Sequence, residues 1–289
     1  MLSEQQRQKE KALMHSHCVS DVLADVKDDR DFTAATVGIA CAADIPKEYK
    51  LPFVMPVLDQ GNVGSCVAHA ICTAYGYGEM QLGLKEKGTD YSRGYLYGNR
   101  DDDQYQGEGM MPREALKNLH NYGDVLFEDF PYNMPYKYIC AKIHDIGRSK
   151  LAKLAEQNKI ESYFSIHTRT TIQQSLIDTG AVIIYVPIFN DEFTSDLVAP
   201  EEKEPKCTGA HEMCVVGWDE TGWLVQNSWS EDWGVDGVGH VAFDYPGLDF
   251  WSFYVKNPLK QKENKPTKKS ILNTIIDFFK SLFAKIFKK

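Results

Sequence analysis

A cysteine stands at the point where a helix must begin in the run QGNVGSCVAHA, residues 60–70. Two glycines and a serine precede Cys66, and Val67, Ala68, Ala70, Ile71 and Ala74 follow in a helical pattern that is apolar on most faces. At the first turn of a helix the backbone N–H groups are unpaired and the dipole presents its positive end, so a thiol placed there ionises more readily and becomes a nucleophile. A free cysteine is also a small hydrophobe that is usually buried. The stretch alone supports both readings of Cys66 equally.

A nucleophilic thiol needs a base that takes its proton and later returns it to a leaving group, and histidine does both near neutral pH. Of the eight histidines, His211 opens a strand-like run, TGAHEMCVVGW, and the next such run, WLVQNSW, carries a polar Asn227 among apolar neighbours. A buried asparagine needs hydrogen-bond partners. On adjacent antiparallel strands Asn227 can accept the His211 ring N–H and orient it while Trp229 keeps water away, the nucleophile, base and orienter logic of a Cys-His-Asn triad. Gln60 can direct its side-chain N–H₂ to the same point as the Cys66 backbone N–H, giving two donors for an oxyanion. Cys66, His69 and Cys72 also look like metal ligands, but residues three and six apart on one helix converge poorly on a tetrahedral ion. His15 to Cys18 and Asp101 to Asp103 read as solvated segments, and neither a metal nor another cofactor is expected.

Several elements must position these residues. The helix that starts at Cys66 is expected to be buried and central. PREALKNLHNYG forms a second, with Pro112 in its first turn, Ala115, Leu116 and Leu119 on one face and Gly123 as its stop. A third runs near Thr171 to Thr179 and ends at Gly180. The pattern then changes to β-branched and aromatic runs, AVIIYVPI, HEMCVVGW, GWLVQNSW and GVGHVAFDY, bounded by glycine or acidic turns. Helices first and strands second predict an α+β protein whose halves pack together and leave a cleft between them.

With 289 residues, 43% hydrophobic and 25% charged, the chain can bury a sizeable core. From Lys256 to Lys289 ten lysines face only Glu263 and Asp277, so the body carries more than the whole of the net charge of -9. Such a body repels polyanions, which argues against nucleic acid as a partner. Seven cysteines without a framework spacing, and an N-terminus without an apolar signal core, predict a reducing compartment and no signal peptide. Cytoplasm or a virion fits that composition. Four regions are expected: a polar lead-in, 1–46, with a short helix near Glu4 to Met14; the main domain, 47–257; a lysine-rich linker, 258–270; and a basic amphipathic helix, 271–289. The last of these has Ile271, Leu272, Ile275, Ile276, Phe279, Leu282, Phe283 and Ile286 at three-and-four spacing. It suits an anionic membrane surface, or docking on the domain or a partner.

Together QGNVGSC, GAHEMCVVGW and VQNSWSEDWGVDGVGHVAF make the chain resemble the papain-like cysteine peptidases from about Ile45 to Tyr254, and DDRDF with GEGMMPREALKNL resembles their bacterial and bacteriophage branch. The resemblance implies a two-lobed fold, with a central helix in a helical left lobe, an antiparallel β right lobe and the site in the cleft between. It implies Cys66, His211, Asn227 and Gln60 as catalytic residues, Gly64, Ser65, Gly109, Met110, Trp229 and Trp233 at the substrate, and a protein or peptide as that substrate. Val63 stands where many secreted members carry a paired cysteine, and Val67 where tryptophan is common. Met110 replaces a glycine and would narrow the adjacent specificity pocket, and no long helical pro-segment is recognisable before residue 47. Thiol endopeptidase activity is the expectation. A peptidoglycan amidase or isopeptidase with the same triad, and an inactive scaffold that binds peptide or decorates a membrane or virion, are the alternatives.

Overall fold

The computed structural model describes residues 2–17, 31–33, 36, 39, 44–100 and 107–257. The expected linker and amphipathic tail lie outside these, as do Cys18 and Asp101 to Asp103. Along the chain come α1 (Glu4–Ser16), β1 (Tyr49–Lys50), α2 (Cys66–Gln81), α3 (Arg93–Gly98), α4 (Pro112–Tyr122), α5 (Tyr136–Ile146), α6 (Arg148–Ala155), β2 (Ile160–Ser165) and α7 (Arg169–Thr179). They are followed by β3 (Val182–Phe189), β4 (Asp196–Leu197), β5 (Cys207–Trp218), β6 (Gly222–Gln226), β7 (Val238–Ala242) and β8 (Asp249–Val255). The described residues up to Lys256 form one compact unit.

Helix α2 is the axis of this unit. Every residue from Cys66 to Met80 is buried, as a helix without a polar face requires. It packs on β5, β3 and β8 and on α3, α4 and α7. Gly78 permits the approach to β8, since a Cβ there would lie 2.7 Å from Val255 Cγ2. The punctuation expected of α4 is present: Pro112 sits in its first turn and Gly123 caps it at φ 79°. Helix α7 begins with a capping box at Thr168 and Thr171 and ends on Gly180 in the left-handed region.

The sheet runs in the order β2-β8-β3-β5-β6-β7-β4, with β1 added against β5. It is mixed rather than wholly antiparallel, because the two-residue β4 lies parallel to β7 through Asp196 opposite His240 and Leu197 opposite Val241. Nor do helices and strands fully segregate: β2 precedes α7 and pairs with β8, and neither strand is among the four runs expected. Strand β5 is central. Its register places His211 opposite Val186 of β3 and Cys214 opposite Gln226 of β6, which brings the residue after β6, Asn227, back toward His211.

Candidate active site

The turn that delivers Cys66 is built by short polar contacts. Asp59 Oδ1 accepts from Gly61 N at 2.8 Å, and Gly61 takes φ 56°, a conformation that disfavours any side chain. Ser65 is the N-cap of α2, yet its hydroxyl caps no backbone N–H, so the helix presents its first-turn donors and dipole at Cys66 without a serine oxygen competing for them. The Cys66 side chain is buried. Gly64 meets a second loop here: a Cβ would fall 2.7 Å from Gly109 N and 2.9 Å from Glu108 Cβ.

His211 Nε2 and Asn227 Oδ1 are 2.7 Å apart, and the same Oδ1 accepts from Ser228 N at 2.7 Å. An amide oxygen only accepts, so His211 carries its hydrogen on Nε2 and keeps a lone pair on Nδ1. Nδ1 is buried and has no hydrogen-bond partner among the described residues. Burial pushes the His211 pKa down to about 4, against the Asn227 bond, which raises it, and with a smaller lowering from His17. Trp229 lies over the pair, its ring 4.7 Å from that of His211. Gln60 is tied to the same strand end: its N–H donates to Ser228 O at 2.9 Å, and its Oε1 accepts from Ser228 Oγ at 2.6 Å. Its Nε2 donates to Val63 O at 3.0 Å, across the turn that leads to Cys66. The sheet residue that orients the histidine and the loop residue that faces the thiol's turn are therefore one hydrogen-bonded unit.

Residues 41–245 match the sequence model of the papain family cysteine proteases. The chain belongs to that family. Among its relatives, a peptidase C1-like protein of Acanthamoeba polyphaga mimivirus is 25% identical over 228 residues, 72% of each chain. Cathepsin B-like CP3 of Giardia intestinalis is 25% identical over 231 residues, 73% of this chain and 74% of its own. Of solved structures, xylellain, a cysteine protease from Xylella fastidiosa, superposes with a TM-score of 0.68 at 22% identity, over 82% of this chain and 96% of its own. The protein is a papain-family cysteine peptidase, with the fold its motifs implied.

Within this papain-family frame, three of the expected substrate residues, Gly109, Met110 and Trp233, are engaged by the protein's own groups. Gly109 donates its N–H to Tyr97 Oη at 3.0 Å, and its carbonyl accepts from Arg100, so its backbone is engaged internally rather than presented for pairing with a peptide. Arg100 is held for this by stacking 3.5 Å over the Tyr136 ring. Met110 is packed into the hydrophobic core. Trp233 is wholly buried, stacked on Phe193 at 6.1 Å and edge-on to Trp229 at 6.4 Å. The metal-like trio does not converge: His69 turns to Ser65, and Cys72 donates to Asp124 at 3.5 Å.

The polar lead-in also contributes to the site, which its composition does not announce. Glu10 of α1 is fully buried and accepts from Ser195 N at 2.8 Å, Ser195 Oγ at 2.7 Å, Gly234 N at 3.2 Å and Gln6 Nε2 at 2.9 Å. One turn past the end of the buried stripe, His17 stacks on Trp229 at 5.3 Å and meets Asp59 Oδ1 at 2.9 Å. The Trp229 ring thus contacts both His17 and His211. A charged residue in a helix of mostly polar sequence reads as solvated; only its partners far along the chain, Ser195 and Gly234, make Glu10 a buried anchor.

Proposed function

We propose that the protein is a thiol endopeptidase working through Cys66, His211 and Asn227. His211 Nδ1 takes the Cys66 proton as sulfur adds to a peptide carbonyl, and the Cys66 N–H and Gln60 Nε2 hold the resulting oxyanion. The histidine then gives its proton to the leaving amine, and the C–N bond breaks to leave a thioester. Water adds to the thioester with His211 again as base, releasing the acid and the thiol. Asn227 fixes the ring's tautomer throughout. The observation that carries this reading is the 2.7 Å contact between His211 Nε2 and an Asn227 oxygen already committed to accepting, which leaves Nδ1 as the basic nitrogen.

The test is alkylation of the full chain by a peptidyl epoxide, with the adduct mapped by mass spectrometry. Label on Cys66, lost together with peptide hydrolysis in Cys66→Ala, is expected; hydrolysis at the unmutated rate by Cys66→Ala would overturn the mechanism. The finer parts of the reading are a bacterial or bacteriophage origin, a cytoplasmic or virion location, and peripheral attachment to anionic membrane through residues 271–289. They rest on sequence motifs and on the lysines of the tail.

A further inference from the structure

Asn133 lies in the loop between Phe130 and α5, outside every motif considered above, and one end of its side chain meets each of the two residues that flank the oxyanion position. Its Nδ2 donates to the Gln60 carbonyl at 2.9 Å, and its Oδ1 accepts from Ser65 Oγ at 3.1 Å. The assignment of the two ends is unambiguous, since a backbone carbonyl can only accept and must face the NH₂ group. Ser65 precedes the nucleophile, and Gln60 supplies the side-chain donor. We propose that Asn133 is a positioning residue that sets the spacing between the Gln60 and Cys66 donors of the oxyanion hole. The inference rests on the role given to those two donors above.

Three features make the bridge directional and stiff. Ser65 is fully buried, and its hydroxyl, unused as a helix cap, is turned to Asn133. Behind it, His69 Nδ1 lies 2.9 Å from Ser65 O and 3.2 Å from Ser65 Oγ. Because Ser65 O accepts only, Nδ1 carries the hydrogen, and burial keeps the ring neutral, with its pKa pushed down to about 3. Donors therefore point one way from the Ser65 hydroxyl to Asn133 and from Asn133 to Gln60, an arrangement in which the first bond polarises the second, while His69 holds the Ser65 carbonyl from behind. The loop that holds Asn133 is itself fixed: Ser92 Oγ donates to Phe130 O at 2.7 Å, and Gly94 approaches so closely that a Cβ would strike Tyr132 O. Asn133 is exposed, so removing its side chain leaves no cavity in the core.

The experiment compares the full chain with Asn133→Ala, Ser65→Ala and the double variant. Three readouts are taken: peptide hydrolysis, binding of a peptide aldehyde and alkylation of Cys66 by iodoacetamide. An aldehyde adds the thiol reversibly to its carbonyl, forming the C–S bond and placing oxygen in the hole; iodoacetamide transfers a carbon to sulfur, expels iodide and needs no hole. Loss of a whole oxyanion donor lowers kcat about 100-fold or more, so misplacing one is expected to cost roughly tenfold. In Asn133→Ala, kcat and aldehyde affinity should fall together by about that factor, with KM, alkylation rate and urea midpoint unchanged. Asn133→Asp, which still accepts from Ser65 but cannot donate to Gln60, should be no better than Asn133→Ala. The double variant should be no worse than the more affected single variant, because both break one chain of bonds. Unchanged kcat in Asn133→Ala, alkylation falling in parallel with hydrolysis, or additive losses in the double variant would overturn the positioning role while leaving the peptidase reading intact. An unmutated protein that neither cleaves peptides nor alkylates at Cys66 would overturn the reading beneath it, and this inference with it.

Discussion

Replacing His69 by phenylalanine should flatten the dependence of folding stability on pH. His69 is buried in α2, and its pKa is depressed from the usual 6.5 to about 3, chiefly by desolvation. A depressed histidine binds its proton in the unfolded chain first, so the unfolded state gains on the folded state as pH falls below 6.5. At about 1.4 kcal/mol per pH unit, acidification from pH 7 to 4.5 removes about 3 kcal/mol through this residue alone. His211, depressed to about 4, adds a loss of similar sign and size. Asp124 works in the opposite direction: burial raises its pKa well above 3.8, the folded state holds the proton, and its contribution improves as pH falls. The net slope of the unmutated protein mixes these, and the difference between the two proteins isolates His69. Urea unfolding followed by tryptophan fluorescence at pH 7 and 4.5 measures it. Phenylalanine can shift both values by altered packing, but the change between the two pH values should be smaller by about 3 kcal/mol in the variant. Equal changes in the two proteins would refute the assignment of a neutral, desolvated His69.

Asn227→Ala should lower kcat/KM on the order of tenfold to 100-fold, less than Cys66→Ala, because the thiol and base remain. It should also move the acid limb of the pH profile to lower pH, since the Asn227 bond raises the His211 pKa; an unmoved limb would place the bond elsewhere in the cycle. Glu10→Ala strands two backbone donors at Ser195 and Gly234, and hydrogen bonds to a charged group contribute about 1.5–3 kcal/mol each. Hydrogen exchange in residues 4–16 should rise at least tenfold while β3 and β5 stay protected, and unchanged exchange would show that α1 is held by other contacts. Removing residues 260–289 should leave hydrolysis of a small peptide intact and abolish co-sedimentation with anionic vesicles at low salt; a full-length protein that ignores such vesicles would count against the anchor.

Elements with chemical punctuation were legible in the sequence. Pro112, Gly123 and Gly180 mark helix ends because ring closure and positive φ restrict which residues can stand there, and the structure places them at those ends. Asn227 was legible for a related reason: a polar side chain in an apolar strand must find a partner, and the neighbouring run offered one histidine. Strand β8 carries a comparable signal in DFWSFYV that the four expected runs omit. Glu10 and Asn133 are a different case. Glu10 meets Ser195, 185 positions away, and Asn133 meets Gln60, 73 positions away, so neither pairing leaves a local pattern. Gly109 illustrates the converse, since a glycine placed for close backbone approach has its N–H taken by Tyr97 and its carbonyl by Arg100, a contact no spacing foretells.

Two acceptor-only oxygens decide the protonation of both histidines around the thiol's turn. The Asn227 amide oxygen, fixed by the Ser228 N–H, puts the His211 hydrogen on Nε2, and the Ser65 carbonyl puts the His69 hydrogen on Nδ1. The two rings thus present opposite nitrogens to their anchors. For His211 this frees the nitrogen on the short side of the ring for proton transfer, while for His69 it commits that same nitrogen to the backbone and removes it from acid–base chemistry. Burial lowers both pKa values, but burial alone would make two equivalent neutral imidazoles. What separates a base from a brace is which ring nitrogen donates to the anchor. Each acceptor oxygen is held in place by the backbone at the helix start or the strand end. The chemistry proposed for Cys66 therefore depends on backbone geometry at Ser65 and Ser228 as much as on the side chains that would carry it.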